Sequence, residues 1–425
     1  MLEAFDRLEM NGARTKRQHE YGIVDPLPKA SNPYDRSRPL LSYSKHAGRD
    51  QLSACGRAGM FALKNVFPDD ISTLSLFDVV NSLIDLNRTI DVEQYGPYLN
   101  RFKFDIKNFF SEIPHSLLYQ AWQFFRSKLF EHSRRNTHIL IPTKHAARTP
   151  KNAMWLRFER FIQKKPYTLG LRRMHKDMLR PRFSTTGSAP NMHFISVPFE
   201  AIGEAMHIDI KSAISYFGKQ PLLQTKGSPQ GSPMSVFNAS IVALYIEQRT
   251  WNTLKFSCIK LINQPRILIF RARWIDDLYL ILVTSSPLTF IQKEGIKLRF
   301  SEAYEPFGMK NEDCDNFVGL WTSVVDGQLK FGLDTKQNPL RPIPKYAHAR
   351  SNISVQQIRA LMKGSIARAI DSAVDENILR ASIITVWNNF KIVGHQKGIF
   401  IGVLNEMTKK YPYLTHAFPH GPKLF

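Results

Sequence analysis

The sequence predicts an α+β fold, and three features carry that prediction. First, runs of β-branched, aliphatic and aromatic residues flank two adjacent acids in Arg273-Trp274-Ile275-Asp276-Asp277-Leu278-Tyr279-Leu280-Ile281-Leu282-Val283. These runs, the upstream one beginning at Ile267, read as two strands with the acids at a tight hairpin turn. Second, a Gly-, Pro- and Ser-rich loop from Gln224 to Ser235 leads into an apolar helix containing Val236, Phe237, Ala239, Ile241, Val242, Leu244 and Ile246. Third, the C-terminal stretch 335–425 is rich in helical patterning and reads as a small bundle.

Taken in order, residues 1–33 are polar and end in Pro26, Pro28, Lys29 and Pro33, which reads as an irregular arm. Residues 34–99 hold two helix-like stretches, near Gln51–Val66 and Leu74–Asn87. Phe102 to Phe110 is a strand-like run with Asp105 towards its end, and Ser111 to Leu118 reads as the turn into a helix. In the loop after Gln224, Ser232 is the expected N-cap and Pro233 the first helical residue. Its glycines allow the close backbone approach that a nucleotide needs. In the C-terminal stretch, Ser351 or Ser354 caps a helix with Ile353, Gln357 and Leu361 expected inward and Arg359 and Lys363 outward. Two more helices are expected near Ile378–Phe390 and Gly398–Lys409.

Paired carboxylates at one turn repel each other, and a divalent cation removes that repulsion. Hard cations such as Mg²⁺ bind through a few carboxylates plus substrate phosphates. Asp is also a common turn residue, so the hairpin alone is open to a plain structural reading. Asp105, in a similar strand setting, supplies a third acid. Carboxylates from two strands bridging two metals form a clamp for in-line phosphoryl transfer. Asp105 with Asp276 would supply it, with Asp277 assisting.

The ordered series of acid strand, Pro-Gln-Gly loop and Asp-Asp hairpin resembles the reverse transcriptase family. Phe104-Asp105-Ile106-Lys107-Asn108-Phe109-Phe110 is similar to its motif A, Gly227 to Pro233 to motif B, and Trp274-Ile275-Asp276-Asp277 to motif C. Phe317-Val318-Gly319-Leu320 is similar to the primer grip, and Arg36-Ser37-Arg38-Pro39-Leu40 to the basic element that holds the triphosphate. The resemblance implies a right-hand polymerase: fingers over 34–99, a palm over 100–334 and a helical thumb over 335–425. It implies an RNA-directed DNA polymerase extending a primer 3′-hydroxyl with dNTPs. Asp105, the Ile106 carbonyl, Asp276 and Asp277 would hold two Mg²⁺ ions, with Mn²⁺ as the substitute. Phe110 would exclude a 2′-hydroxyl; Gln230, Gly231, Arg38 and Lys310 would contact the nucleotide. Val318, Gly319 and Leu320 would grip the primer. The match departs from the family at motif D, where Lys310 falls early and Asp315 stands about where a Lys is expected, and at Trp274, where the family has Tyr.

Composition agrees with a polyanionic partner. The chain carries 58 Lys and Arg against 36 Asp and Glu, a net charge of +22, which favours nucleic acid. The excess is concentrated: residues 131–190 hold 14 basic against three acidic residues, and 336–425 hold 13 against four. Gln230 lies 125 residues after Asp105, long for the family and reminiscent of the insertion in its telomerase-type members. Within that insertion Arg134, Arg135, Lys164, Lys165, Arg172 and Arg173 are the candidate RNA contacts, joined by Arg359 and Lys363 further on. Trp155, Phe158 and Phe161 at three-residue spacing read as packing. The expected partners are an RNA template, a DNA or RNA primer and dNTPs, with a dedicated structured RNA as a further candidate and no membrane. Three distant cysteines, Cys55, Cys258 and Cys314, form neither a zinc pattern nor a disulfide framework, which points to an intracellular, reducing compartment. The roughly 90 residues of 335–425 are expected to form a thumb and to leave no room for an added RNase H or integrase domain. Two other readings stay open: an RNA-binding or structural protein of polymerase fold with little activity, and a template-independent or protein-primed polymerase of the defence type.

Overall fold

The computed structural model describes residues 22–29, 32–43, 46, 48–72, 76–143, 181–188, 193–217, 220–264, 266–312, 315–325, 327–334, 346, 348–373, 376–411, 414 and 418, with the backbone alone at 22–42, 77, 215–217 and 410. In chain order the first elements are β1 (Gly22–Lys29), β2 (Asn32–Ser42), α1 (Arg49–Val66), α2 (Leu76–Thr89), α3 (Val92–Tyr95) and β3 (Tyr98–Ile106). Then come α4 (Phe109–Glu112), α5 (His115–Ser133), β4 (His138–Pro142), β5 (Arg182–Ser184), β6 (Phe194–Pro198), α6 (Phe199–Lys211), β7 (Ile214–Phe217) and β8 (Gln220–Leu223). The long helix α7 (Ser235–Ile262) precedes the hairpin β9 (Leu268–Trp274) and β10 (Asp277–Thr284), followed by α8 (Phe290–Ala303) and β11 (Met309–Glu312). A small sheet of β12 (Asn316–Phe317), β13 (Leu320–Val325) and β14 (Gln328–Leu333) leads to the helices α9 (Val355–Ser372), α10 (Glu376–Ile392) and α11 (Lys397–Lys410).

The centre is an antiparallel sheet in the order β11-β3-β10-β9. Its middle strand β10 is buried from Leu278 to Thr284, so both faces must be covered, and the period of two sorts its side chains between two cores. Leu278, Leu280 and Leu282 join Phe104, Phe237 and Phe300 on the face packed by α1, α5, α6, α7 and α8. Tyr279, Ile281 and Val283 join Val79, Val80 and Leu83 of α2 with Phe317 and Phe331 of the small sheet. Helices α9 to α11 form a third core around Met362, Ile366, Ile383, Phe390, Phe400 and Leu404. Among the described residues no helix is long and apolar enough to cross a membrane.

Several expectations need correction. The stretch expected as an irregular arm contains β1, which pairs antiparallel with β2 and in parallel with β7 through Gly22 and Ile23. Helix α2, expected with the fingers, packs instead on the central sheet. In α9 the buried stripe is Ile358, Met362, Ile366 and Ala369, while Leu361 is exposed and Gln357 is tied up in a capping box with Ser354. Helix α7 runs from Ser235 rather than Pro233, although the Ser232 hydroxyl accepts the Met234 N–H as an N-cap would, and donates to Asp209.

Candidate active site

The sheet register assembles the three acids. Asp277 is the cross-strand partner of Asp105, and Lys310 faces Asp105 from the other side. The Ile106 N–H donates to the Asp276 carbonyl at 3.0 Å. Pairs alternate along an antiparallel ladder, so Asp105–Asp277 is a non-hydrogen-bonded pair, whose Cα atoms stand about 4.5 Å apart with the side chains closest. Like charges directly opposite destabilise a ladder, and Lys310, a cation in the same row, offsets part of that. Asp276 sits in the two-residue connection itself, after Ile275 at φ +59°. A β-branched residue at positive φ is strained. The sequence reading paired Asp105 with Asp276; in the fold Asp277 is its direct neighbour and Asp276 stands at the tip. Asp105 and Asp277 share the sheet face of Tyr279, the face that meets β12 and β13.

The donors are carboxylate and carbonyl oxygens, the type a hard divalent cation takes, with its remaining ligands drawn from water and phosphate. The donor chemistry therefore fits Mg²⁺. A ready-made cage is absent: among the described residues no group of three or more His, Cys, Asp or Glu side chains is arranged to hold a metal ion.

The Pro-Gln-Gly loop is stitched to the chain just after Asp105. Gly227 N–H donates to the Ile113 carbonyl and Ser228 N–H to that of Phe110, both at 2.7 Å. His115 contacts the Gly227 carbonyl at 3.0 Å, and Lys226 pairs with Glu112 at 2.6 Å. Gly227 has φ +85°, and a Cβ there would lie 2.5 Å from the Phe110 carbonyl oxygen. From the other side α1 presses on the loop: a Cβ on Gly56 would meet the Pro233 carbonyl oxygen at 2.5 Å. Gln230 and Phe110 are half-buried and Gly231 is exposed. The sequence reading missed Gly56, which carries no local signal of a neighbour so distant in the chain.

It also missed what holds the hairpin. Arg273 is fully buried. Its guanidinium pairs with Glu247 of α7 at 2.8 Å and Asp70 at 3.5 Å, and donates to the Ile275 carbonyl at 3.3 Å inside the acid-bearing turn. Tyr304 donates to Glu247 at 2.6 Å. Burial works against the Arg273 charge, but Glu247 and Asp70 more than offset it and hold its pKa up. Burial pushes Asp70 up to about 6.

Elsewhere the placements vary. Arg38 falls on β2, opposite Leu27 of β1, in the four-stranded sheet whose far strand β8 feeds the loop. Val318 and Gly319, at φ +53° and +75°, form the turn between β12 and β13, and the Val318 carbonyl accepts from Arg368 of α9 at 3.4 Å. Leu320 is buried below that turn. Lys310 is exposed and pairs with Glu312 at 3.5 Å; Asp315 pairs with Arg101 at 3.2 Å. Arg359 and Lys363, expected on the outward side of the helix, are half-buried and exposed respectively, and both are ion-paired to Glu406 of α11. Arg134 and Arg135 are exposed at the end of α5. Lys164, Lys165, Arg172, Arg173, Trp155, Phe158 and Phe161 lie outside the described residues.

No family model matches the chain, and no curated protein matches it. Solved structures do. Telomerase from Candida albicans, in complex with a TWJ fragment of telomeric RNA, aligns over 93% of this chain with a TM-score of 0.52 at 14% identity. Telomerase from Candida tropicalis with the TWJ fragment aligns over 96% with a TM-score of 0.50 at 13% identity. The chain therefore shares the fold of these telomerases. At such identities the likeness speaks for the fold alone. The chain spans about 60% of the length of each of these telomerases.

Proposed function

We propose that the chain is an RNA-directed DNA polymerase that adds deoxynucleotides to a primer 3′-hydroxyl. The observation that carries this reading is the acid row: Asp105 and Asp277 directly opposite, with Asp276 at the adjoining turn. In a right-hand layout the central sheet would be the palm, α1 with the β1–β2 sheet the fingers, and α9 to α11 the thumb. Asp105, Asp276, Asp277 and the Ile106 carbonyl would hold Mg²⁺, which would supply charge neutralisation for attacking and leaving oxygens. The chain's own groups do the rest. Arg38 and Lys310 attract the triphosphate, and Lys310, neighbour of Asp105 in register, stands where the pyrophosphate leaves. Gln230 presents its amide to the incoming nucleotide from a loop fixed to the Phe110 carbonyl. The Phe110 ring fills the space of a 2′-hydroxyl. The likeness to telomerases in complex with RNA supports an RNA partner, and the basic insertion would carry the sequence-independent phosphate contacts.

Extension of a primer on an RNA template, with dNTPs and with NTPs, tests this. The wild type is expected to use dNTPs, and Phe110→Ala to gain ribonucleotide use. Unchanged sugar selectivity in that variant would make the ring a packing residue only. A second reading, a polymerase-fold RNA-binding protein with little activity, draws on the departure at motif D, where Asp315, paired with Arg101, stands about where a Lys is expected. It predicts RNA binding with no incorporation on any primed template.

A further inference from the structure

Beneath the Pro-Gln-Gly loop lies a carboxylate that the proposed chemistry does not use. Asp209, near the end of α6, is fully buried. Removing a carboxylate from water costs several kcal/mol unless something compensates, yet its hydrogen-bond partners are neutral. Ser232 Oγ donates to Oδ1 at 2.6 Å, and Asn238 Nδ2 reaches Oδ2 at 3.5 Å. The same Asn238 amide donates to Ser228 Oγ at 3.1 Å. Ser228 and Ser232 stand two residues either side of Gln230. Both ends of the five-residue bridge that carries Gln230 are therefore anchored to one carboxylate, directly at Ser232 and through Asn238 at Ser228.

A third element reaches the same point. Tyr43, the residue after β2, is buried beside Asp209; burial and the carboxylate's charge together push its phenol up. Strand β2 carries Arg38. The two segments proposed to hold the nucleotide thus meet at Asp209. An apolar residue there would pack α6 on α7 without the desolvation cost, so packing does not account for the acid.

We propose that Asp209 is a positioning residue for nucleotide binding: it holds the Ser228–Ser232 bridge in one conformation and so sets the place of Gln230. The proposal rests on the polymerase reading for its kinetic consequence but not for its structural one.

Asp209→Asn tests it, keeping the size and an acceptor while removing the charge. Losing charge-assisted bonds of this kind is worth about tenfold in binding, so at pH 8, above the range in which burial keeps Asp209 protonated, the KM for dNTP is expected to rise about tenfold with kcat and RNA affinity close to wild type. Hydrogen exchange at the Gly227, Ser228 and Met234 amides is expected to quicken. Ser228→Ala, which removes a single hydroxyl, is expected to raise KM in the same direction and keeps the test open should Asp209→Asn not fold. A lower melting temperature with KM unchanged in both variants would make Asp209 a structural residue only and overturn the proposal. If the wild type incorporates no nucleotide, the polymerase reading falls. The exchange rates then decide: faster loop exchange in Asp209→Asn supports the positioning role, and unchanged exchange overturns it.

Discussion

Asp209 is where burial and charge oppose each other most openly. Burial pushes its pKa up to about 7 from an unfolded value of 3.8, with Ser232 pulling the other way. Between those pH values the folded chain binds more protons than the unfolded one. The stabilisation from its neutral form is complete below the unfolded pKa and is lost as pH rises through the folded one. A shift of this size corresponds to at most about 4 kcal/mol. In urea unfolding between pH 5 and 8, Asp209→Asn should therefore lose less stability than the wild type. Asp70, raised to about 6, adds a slope of the same sign to both and cancels in the comparison. A parallel pH profile for the two proteins would mean Asp209 keeps its charge throughout. Asp105, Asp276, Asp277 and Gln230 stand out in the sequence as candidates because each sits in a short pattern with its own chemistry. Asp209, Arg273 and Gly56 were not. Their meaning comes from partners far off in the chain, and a single acid, base or glycine in a helix or strand has no local pattern to announce it.

Among the elements, the Asp-Asp hairpin was read from alternation and turn residues, and the structure has it over Leu268–Trp274 and Asp277–Thr284. Strand β1 was not. Pro26 and Pro28 argue against a strand, and the fold tolerates them because, among the described residues, β1 pairs with β7 at Gly22 and Ile23, away from the proline half. The face of α9 was misread at Gln357 and Leu361, whose four-residue spacing matches that of Ile358, Met362 and Ile366, while Ile353, ahead of the helix, does pack on that core. Spacing alone does not choose between two such stripes; the capping box, which places Gln357 at the exposed helix start, does. The hairpin's conformation depends on the buried Arg273, which ties β9 to α7, to Asp70 and to the turn itself. Arg273→Met would leave Glu247 and Asp70 without the buried guanidinium they pair with, at a cost of about 3–5 kcal/mol. Urea midpoints measure it. A loss within about 0.5 kcal/mol, the range of ordinary surface substitutions, would show that the acids take up protons or water and that the guanidinium is not needed.

For the molecule as a whole, the positive charge is unevenly spread. The net charge of +22 is concentrated in 131–190 and 336–425, and the described ends of the first, at β4 and β5, pair antiparallel with each other, as β4 does with β6. Reversing Arg134, Arg135, Lys164, Lys165, Arg172 and Arg173 should weaken RNA binding. It should also flatten the slope of log affinity against log salt by roughly 0.7 to 0.9 for each phosphate no longer neutralised. An unchanged slope would move the RNA path elsewhere. In α9, Arg359 and Lys363 share Glu406, so less of their charge is available to a polyanion than the sequence suggested. The central claim is that the acid row on β3 and β10 is a catalytic centre, and Mg²⁺-dependent primer extension on an RNA template with Asp105→Ala and Asp276→Ala tests it most directly. The account predicts incorporation by the wild type and none by either variant, with melting temperature and RNA affinity retained. Wild-type-like synthesis by either variant would contradict it.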